Sequence, residues 1–336
     1  MPTIDDVARK AGVSVTTVSR ILNNRGYIGN ATREKVYQVM KEINYQPNEL
    51  ARSLFRKKSN LIGLIIPEIA HPFFSELTQY IEYYAFQNGY KLLLCNSEHD
   101  RTKEKEYIDM LKKNQVDGII MGSMLLETDD YLQLNLPIVS FDRSIADHVP
   151  LVTSDNNNGG LLAAKILIDK GCRQLAFLYG GIKGYSGNYL NNKSMLAGLR
   201  YDGFSSECKR RNVENLNFYL EINNFANLDS IVEQIICFFQ ENKNVDGIFA
   251  TSDVIAAYAI QACSKMDKKI PEHVKIVGYD DVILASLMAP SGITSIKQPI
   301  EEMAKQSVEL IIKQINGEHV EKGYTLEVTL VERGTT

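Results

Sequence analysis

From Leu61 onward, short runs of Val, Ile and Leu alternate with amphipathic stretches of helical length, and this pattern restricts the fold more than any other feature of the chain. Runs at 61–66, 91–95, 116–121 and 137–141 are apolar almost throughout, which calls for cover on both faces of a sheet and hence for parallel strands joined by helices. Further runs at 151–153, 175–179, 218–222, 245–249 and 274–277 bring the count above what one compact sheet needs. The expectation is an α/β body over 60–336 with two subdomains, one about 60–155 and 293–318, the other about 156–290 and 322–336. A strand at 294–297, a helix over 300–315 and a strand within 324–332 cross back to complete both.

The residues before this body follow a different rule. Thr3-Ile-Asp-Asp6 has the form of a capping box opening a first helix, with Ile4, Val7, Ala8 and Ala11 on its buried side. Gly12 permits a tight turn and Ser14 is a good N-cap for a second helix, on which Val18, Ile21 and Leu22 share one face. Thr16, Thr17, Ser19 and Arg20 are left pointing outward, a set of hydroxyls and one guanidinium that suits phosphates and base edges in a major groove, and Val15 suits a thymine methyl. A small surface helix carries such residues too, so the neighbours have to decide. A third helix over about 31–44 completes a helix-turn-helix headpiece at 1–46, and Pro47 ends it. Residues 47–59 then read as a hinge or linker, with a short cationic helix that has no core of its own and is too short to persist alone in water.

Charge supports this division. Residues 1–58 carry eleven Lys/Arg against five acids, a net +6, whereas the remainder is −10, so the whole chain's −4 conceals a basic head on an acidic body. A basic head of this kind fits a polyanion, here double-stranded DNA. The five cysteines lack any pairing pattern and are expected as small core residues in a reducing compartment. No apolar run has the length of a membrane span or a signal peptide, so the expected location is the cytoplasm, away from membrane. The glycine-rich stretch 180–187 lacks the order of a phosphate loop, no GxSxG or HExxH occurs, and the histidines have no metal-ligand spacing. These absences argue against an enzyme, a catalytic residue, a metal or a cofactor.

With headpiece, hinge and twin subdomains in view, the chain resembles the LacI/GalR family of transcription repressors over essentially its whole length. The resemblance is carried by 3–14, Thr17-Val-Ser-Arg-Ile-Leu-Asn23, Tyr45-Gln-Pro-Asn48, Ala51-Arg-Ser-Leu54, Val116-Asp-Gly-Ile-Ile120 and Gly278-Tyr-Asp-Asp281. Within the family, Cys95-Asn-Ser-Glu-His-Asp100 and Ser140-Phe-Asp-Arg143 are most similar to the sucrose-operon repressors of Gram-positive bacteria. The resemblance implies a periplasmic-binding-protein-like body and places Thr3, Val15, Thr16, Thr17, Ser19, Arg20 and Asn23 at operator DNA, with Asn48, Ala51, Arg52 and Leu54 from the hinge. The leucine matching Leu54 wedges into the minor groove, where unstacking is offset by contacts on the bent duplex.

The resemblance also implies an effector cleft lined by Phe73, Phe74, Asp142, Asp155, Arg200, Phe225, Asp253 and Asp280. Carboxylates and a guanidinium suit bidentate bonds to neighbouring sugar hydroxyls, and aromatic faces suit a sugar's C–H surface. Asp155 and Asp253 equally suit caps of the helices that follow them, and the phenylalanines equally suit a core. Tyr189 and Asn192, in a loop over 182–196 that is longer than in many relatives, are further candidates for the ligand. The implied protein is a homodimeric repressor released from its operator by sucrose, fructose or a sugar phosphate. Its rival is a catabolite-control regulator of the same fold, strengthened on DNA by a phosphorylated phosphocarrier protein. A transport-type sugar-binding protein shares the body but leaves the headpiece unexplained.

Overall fold

The computed structural model describes residues 2–46, 58–114, 116–123, 125–181, 196–222, 228–288 and 291–336. The chain divides into two compact units, one up to residue 60 and one from Leu61 on.

The first unit contains α1 (Ile4–Ala11), α2 (Val15–Leu22) and α3 (Asn30–Glu42). The capping box is present: Asp6 N–H donates to Thr3 Oγ1 at 3.3 Å, and Thr3 N–H donates to the Asp6 carboxylate at 2.9 Å. Those bonds to Thr3 hold the exposed Asp6 carboxyl below its ordinary pKa. Gly12 closes α1 in the left-handed region at φ 64°, and Ser14 Oγ accepts Thr17 N–H at 3.1 Å to open α2. Val7, Ala8, Ala11, Val18, Ile21, Val36 and Val39 form the core, the apolar spacing anticipated from the sequence.

In the second unit, one six-stranded sheet comprises β1 (Leu61–Ile66), β2 (Lys91–Asn96), β3 (Gly118–Met121), β4 (Ile138–Phe141), β5 (Leu151–Ser154) and β11 (Gly323–Leu326), in the order β11-β5-β4-β3-β1-β2. The other comprises β6 (Gln174–Gly181), β7 (Glu214–Glu221), β8 (Gly247–Ala250), β9 (Lys275–Asp280), β10 (Thr294–Lys297) and β12 (Thr329–Val331), in the order β12-β10-β9-β8-β6-β7. Among the described residues every strand pairing is parallel except β10 with β12. Helices α4 (Pro72–Gln87), α5 (Arg101–Lys113), the short α6 (Thr128–Leu132) and α12 (Ile300–Ile315) accompany the first sheet. Helices α7 (Asn156–Asp169), α8 (Leu196–Arg211), α9 (Leu228–Glu241) and α10 (Asp253–Lys265) accompany the second, and the short α11 (Ile283–Leu287) follows β9. Neither α6 nor α11 was anticipated, since five residues are too few to show a period.

The subdomain boundaries differ from the sequence expectation at two places. Strand β10 pairs with β9, Thr294 opposite Val277, and so belongs to the second sheet. Strand β11 pairs with β5, Gly323 opposite Leu151, and so belongs to the first. The alternating run Tyr324, Leu326, Val328, Leu330 looks like one strand, but its halves bury in different cores: Tyr324 and Leu326 against the first-sheet cluster, Val328 and Leu330 against the second. The chain therefore crosses between subdomains after β5, after β10 and after β11. Asp155 N–H donates to Leu326 O at 2.8 Å and Ser154 Oγ to Gln298 Oε1 at 2.6 Å, tying the crossings together.

All five cysteines are free, and four are buried as expected, but Cys237 is exposed. No helix among the described residues is long and apolar enough to cross a membrane.

Candidate functional site

The crossings bring the carboxyl end of β4, with Asp142, near that of β9, with Asp280, which is where the effector cleft is expected, because ligands in open α/β folds bind beyond the carboxyl ends of the strands. The charged group shared by this region is Arg200, in the first turns of α8. Helices α7 and α8 pack with their backbones nearly touching: a Cβ on Gly160 would lie 1.9 Å from Arg200 O, and one on Gly203 would lie 1.8 Å from Asn157 O. That approach places Arg200 beside the start of α7. Its Nε donates to Asn156 Oδ1 at 2.8 Å, its Nη1 donates to Thr251 O at 2.6 Å, and the guanidinium lies 3.6 Å above the Tyr279 ring. Arg200 is only 7% exposed. A buried guanidinium held flat by two bonds and an aromatic face presents its remaining N–H groups in a fixed direction.

Two carboxyl groups from opposite subdomains lie within reach of this charge. Asp142 follows β4 with φ 65°, accepts Thr153 Oγ1–H at 3.0 Å and is half-buried. Asp280 ends β9 with φ 102°, accepts Gln298 Nε2 at 2.7 Å and is buried. Desolvation pushes the Asp142 carboxyl up to about 6 against the pull of Arg200. It pushes Asp280 up to about 7, again against Arg200, with Asp142 and Glu76 adding to the rise. His71, the N-cap residue of α4, is lowered to about 4, first by burial and then by Arg200 and His99, with Glu68 opposing. It is a neutral imidazole at physiological pH.

Of the candidate effector residues, then, the fold brings together Asp142, Arg200 and Asp280. Phe74 is half-buried with its ring 5.9 Å from that of His71, whereas Phe73 is part of the first core, 6.0 Å from Phe141. Asp155 takes the capping alternative, accepting Asn158 N–H at 2.9 Å. For Asp253 the capping alternative is corrected: Ser252 caps α10, and the fully buried Asp253 instead accepts Val282 N–H at 3.0 Å and Ser295 Oγ–H at 2.6 Å. Phe225, Tyr189 and Asn192 lie outside the described residues. Sequence reasoning missed His71, Asn156, Tyr279 and Gln298. Only the position of His71 and Asn156 at helix starts offered a clue.

In the headpiece, Val15 is 38% exposed, and Thr16 and Arg20 are also open. The other candidates on α2 are partly engaged by the helix itself: Thr17 and Ser14 hydroxyls share a bond of 2.9 Å, and Asn23 Nδ2 donates to Ser19 O at 2.9 Å. Thr3 is held in its capping box. Asn48, Ala51, Arg52 and Leu54 lie outside the described residues.

Comparison with known proteins gives two profile matches, to bacterial regulatory proteins of the lacI family over residues 3–48 and to the periplasmic binding protein-like domain over 164–336. The chain is similar to the ribose operon repressor of Halalkalibacterium halodurans, 39% identical over 100% of this chain and 97% of that protein. It is equally similar to the sucrose operon repressor of Streptococcus mutans, 39% identical over 98% of this chain and 97% of the other. Among solved structures it is similar to the lac repressor dimer bound to operator and the anti-inducer ONPF, with a TM-score of 0.83 and 27% identity, covering 99% of this chain and 98% of that one.

Proposed function

This chain belongs to the lacI family of bacterial regulatory proteins, is a DNA-binding transcriptional repressor and not an enzyme, and from that premise we propose that it controls a sugar-utilisation operon and is released from its operator when a sugar binds between Asp142, Arg200 and Asp280. The observation that carries this reading is that one guanidinium, held by two bonds and an aromatic ring, lies close enough to two carboxyl groups from opposite subdomains to act on both through its charge. A polyol that bonds both carboxylates favours one relative placement of the subdomains, and a ligand shifts a conformational equilibrium only through such differential contacts. Two acids around one cation favour a neutral sugar over a sugar phosphate. Sucrose is the first candidate; the equal identity to a ribose operon repressor makes ribose the necessary comparison.

Two copies acting on a near-palindromic operator complete the proposal. Tyr83 and Phe86 on α4 and Ile283 and Leu287 on α11 are exposed, the last two at 65% and 73%, and support a partner copy on those faces. The test is operator binding by fluorescence anisotropy at fixed salt, with sucrose, D-fructose, D-ribose and fructose 6-phosphate added in turn. Weakening by a neutral sugar is expected; no effect from any of them overturns the inducer reading. Tightening by a phosphorylated phosphocarrier protein, with no response to sugar, would favour the catabolite-control alternative instead.

The headpiece gives a separate prediction. Replacing Arg20 by Ala removes an open guanidinium from α2 and is expected to weaken operator binding by about 10- to 100-fold. Sugar affinity of the same variant, measured by calorimetry, is expected to match the parent protein. An unchanged operator Kd would remove Arg20 from the DNA-reading set.

A further inference from the structure

We propose that Arg333, after β12 and outside the cleft, is a positioning residue for the effector site: it holds the Asp280–Val282 turn so that the Asp280 carboxylate faces Arg200. The inference rests on the effector reading above.

The turn is unusual in its backbone. Asp280 and Asp281 both have positive φ, 102° and 58°, a region that residues with a Cβ adopt rarely and keep only where their surroundings hold them. The holding groups are identifiable. Asp281 N–H donates to Ser295 Oγ at 3.2 Å, Ser295 donates in turn to Asp253, and Val282 N–H donates to the same Asp253 carboxylate. Val282 itself is 2% exposed and packs in the first subdomain's core with Ile300 and Met303, although β9 belongs to the second sheet. These contacts fix the backbone on either side of Asp281.

Arg333 grips the Asp281 side chain. Its Nη1 lies 2.6 Å from Asp281 Oδ1 as an ion pair rather than an aligned hydrogen bond, and the same nitrogen donates to Ile293 O at 2.8 Å. Both side chains are well covered. Gly292, at φ 77°, makes room for it: a Cβ there would meet Arg333 Cδ at 2.6 Å. Further along, Thr335 performs a different task, accepting Thr294 N–H at 2.9 Å and donating to Ile276 O at 2.6 Å at the opposite ends of β10 and β9 from the turn. One short segment thus contains a residue joined to the turn and a residue joined only to the sheet.

Without Arg333 the Asp281 carboxylate loses its cation, and the turn keeps only its backbone bonds and the Gln298 bond to Asp280 against a relaxation toward negative φ that would carry Asp280 away from Arg200. The experiment compares Arg333→Met, Arg333→Lys and Thr335→Val in the full chain, reading sugar Kd by calorimetry with sucrose, D-fructose and D-ribose, operator Kd without sugar, and Tm. Arg333→Met is expected to raise the sugar Kd about tenfold with operator Kd unchanged, and Arg333→Lys to restore most of the loss. Thr335→Val is expected to lower Tm and leave the sugar Kd as it was. A parental sugar Kd in Arg333→Met overturns the proposal, as does an equal rise in Thr335→Val, which would mean general support of the sheet. If the parent protein binds none of the three sugars, the effector reading fails and this inference with it.

Discussion

Replacing Arg200 by Ala is expected to weaken sugar binding by at least about 100-fold, close to 3 kcal/mol, while operator binding in the absence of sugar stays at the parental value. The size follows from what the guanidinium does. Its removal breaks the bonds to Asn156 and Thr251 and uncovers the Tyr279 ring. It also leaves Asp142 and Asp280 facing one another without the cation that opposes their rise, so both move further toward the protonated form. Arg200→Lys is expected to recover little, because a single ammonium cannot make both anchoring bonds, stack on the ring and still present donors to a ligand. Calorimetry reads the affinity, and anisotropy on the operator reads the consequence: a repressor that stays on DNA at sugar concentrations that release the parent. Normal release in Arg200→Ala overturns the site.

Arg200, Asp142 and Asp280 stood among the sequence candidates because the family resemblance extends across their segments, and the structure adds that their charges act on one another. What residue type could not tell was which carboxylates lie near Arg200. Asp142, Asp155, Asp253 and Asp280 all lie at or just after the ends of strands, and their roles separate only when partners are counted: a backbone N–H for Asp155, a backbone N–H and a hydroxyl for Asp253, and Arg200's field for the other two. The headpiece was easier, since Thr3, Gly12 and Ser14 act within four residues and the sequence carries their whole mechanism. The crossing at 324–332 was harder for the opposite reason. Alternation reports that a face is buried, and says nothing about which of two cores buries it. The α7–α8 contact was also hidden: Gly160 and Gly203 show no pattern in sequence, yet they decide where Arg200 stands.

Sugar affinity is expected to fall as pH is lowered from 8 to 5, by about 10²–10³-fold if both carboxyl groups must be ionised in the complex. The groups in question are Asp280, pushed up by burial to about 7, and Asp142, pushed up by burial to about 6. Each is a carboxyl whose folded pKa lies above its unfolded value. In the sugar-free protein their contribution to stability is therefore complete below about pH 4, where both states are protonated, and is lost as pH rises through 6 and 7. Ligand binding has the reverse sign, because sugar hydroxyls donate to the ionised forms and those forms pair with Arg200. The Tm increment produced by a fixed sugar concentration is thus expected to grow between pH 5 and pH 8, while the same two groups lower the Tm of the free protein. His71, already neutral above about 4, does not contribute in this window. Asp280→Asn separates this account from a general acid effect: it weakens binding at pH 8 and flattens the profile between pH 6 and 8, leaving the shallower limb that belongs to Asp142. A profile in that variant as steep as the parent's would show that the proton goes elsewhere, and that Asp280 is not the group through which the cleft senses its ligand.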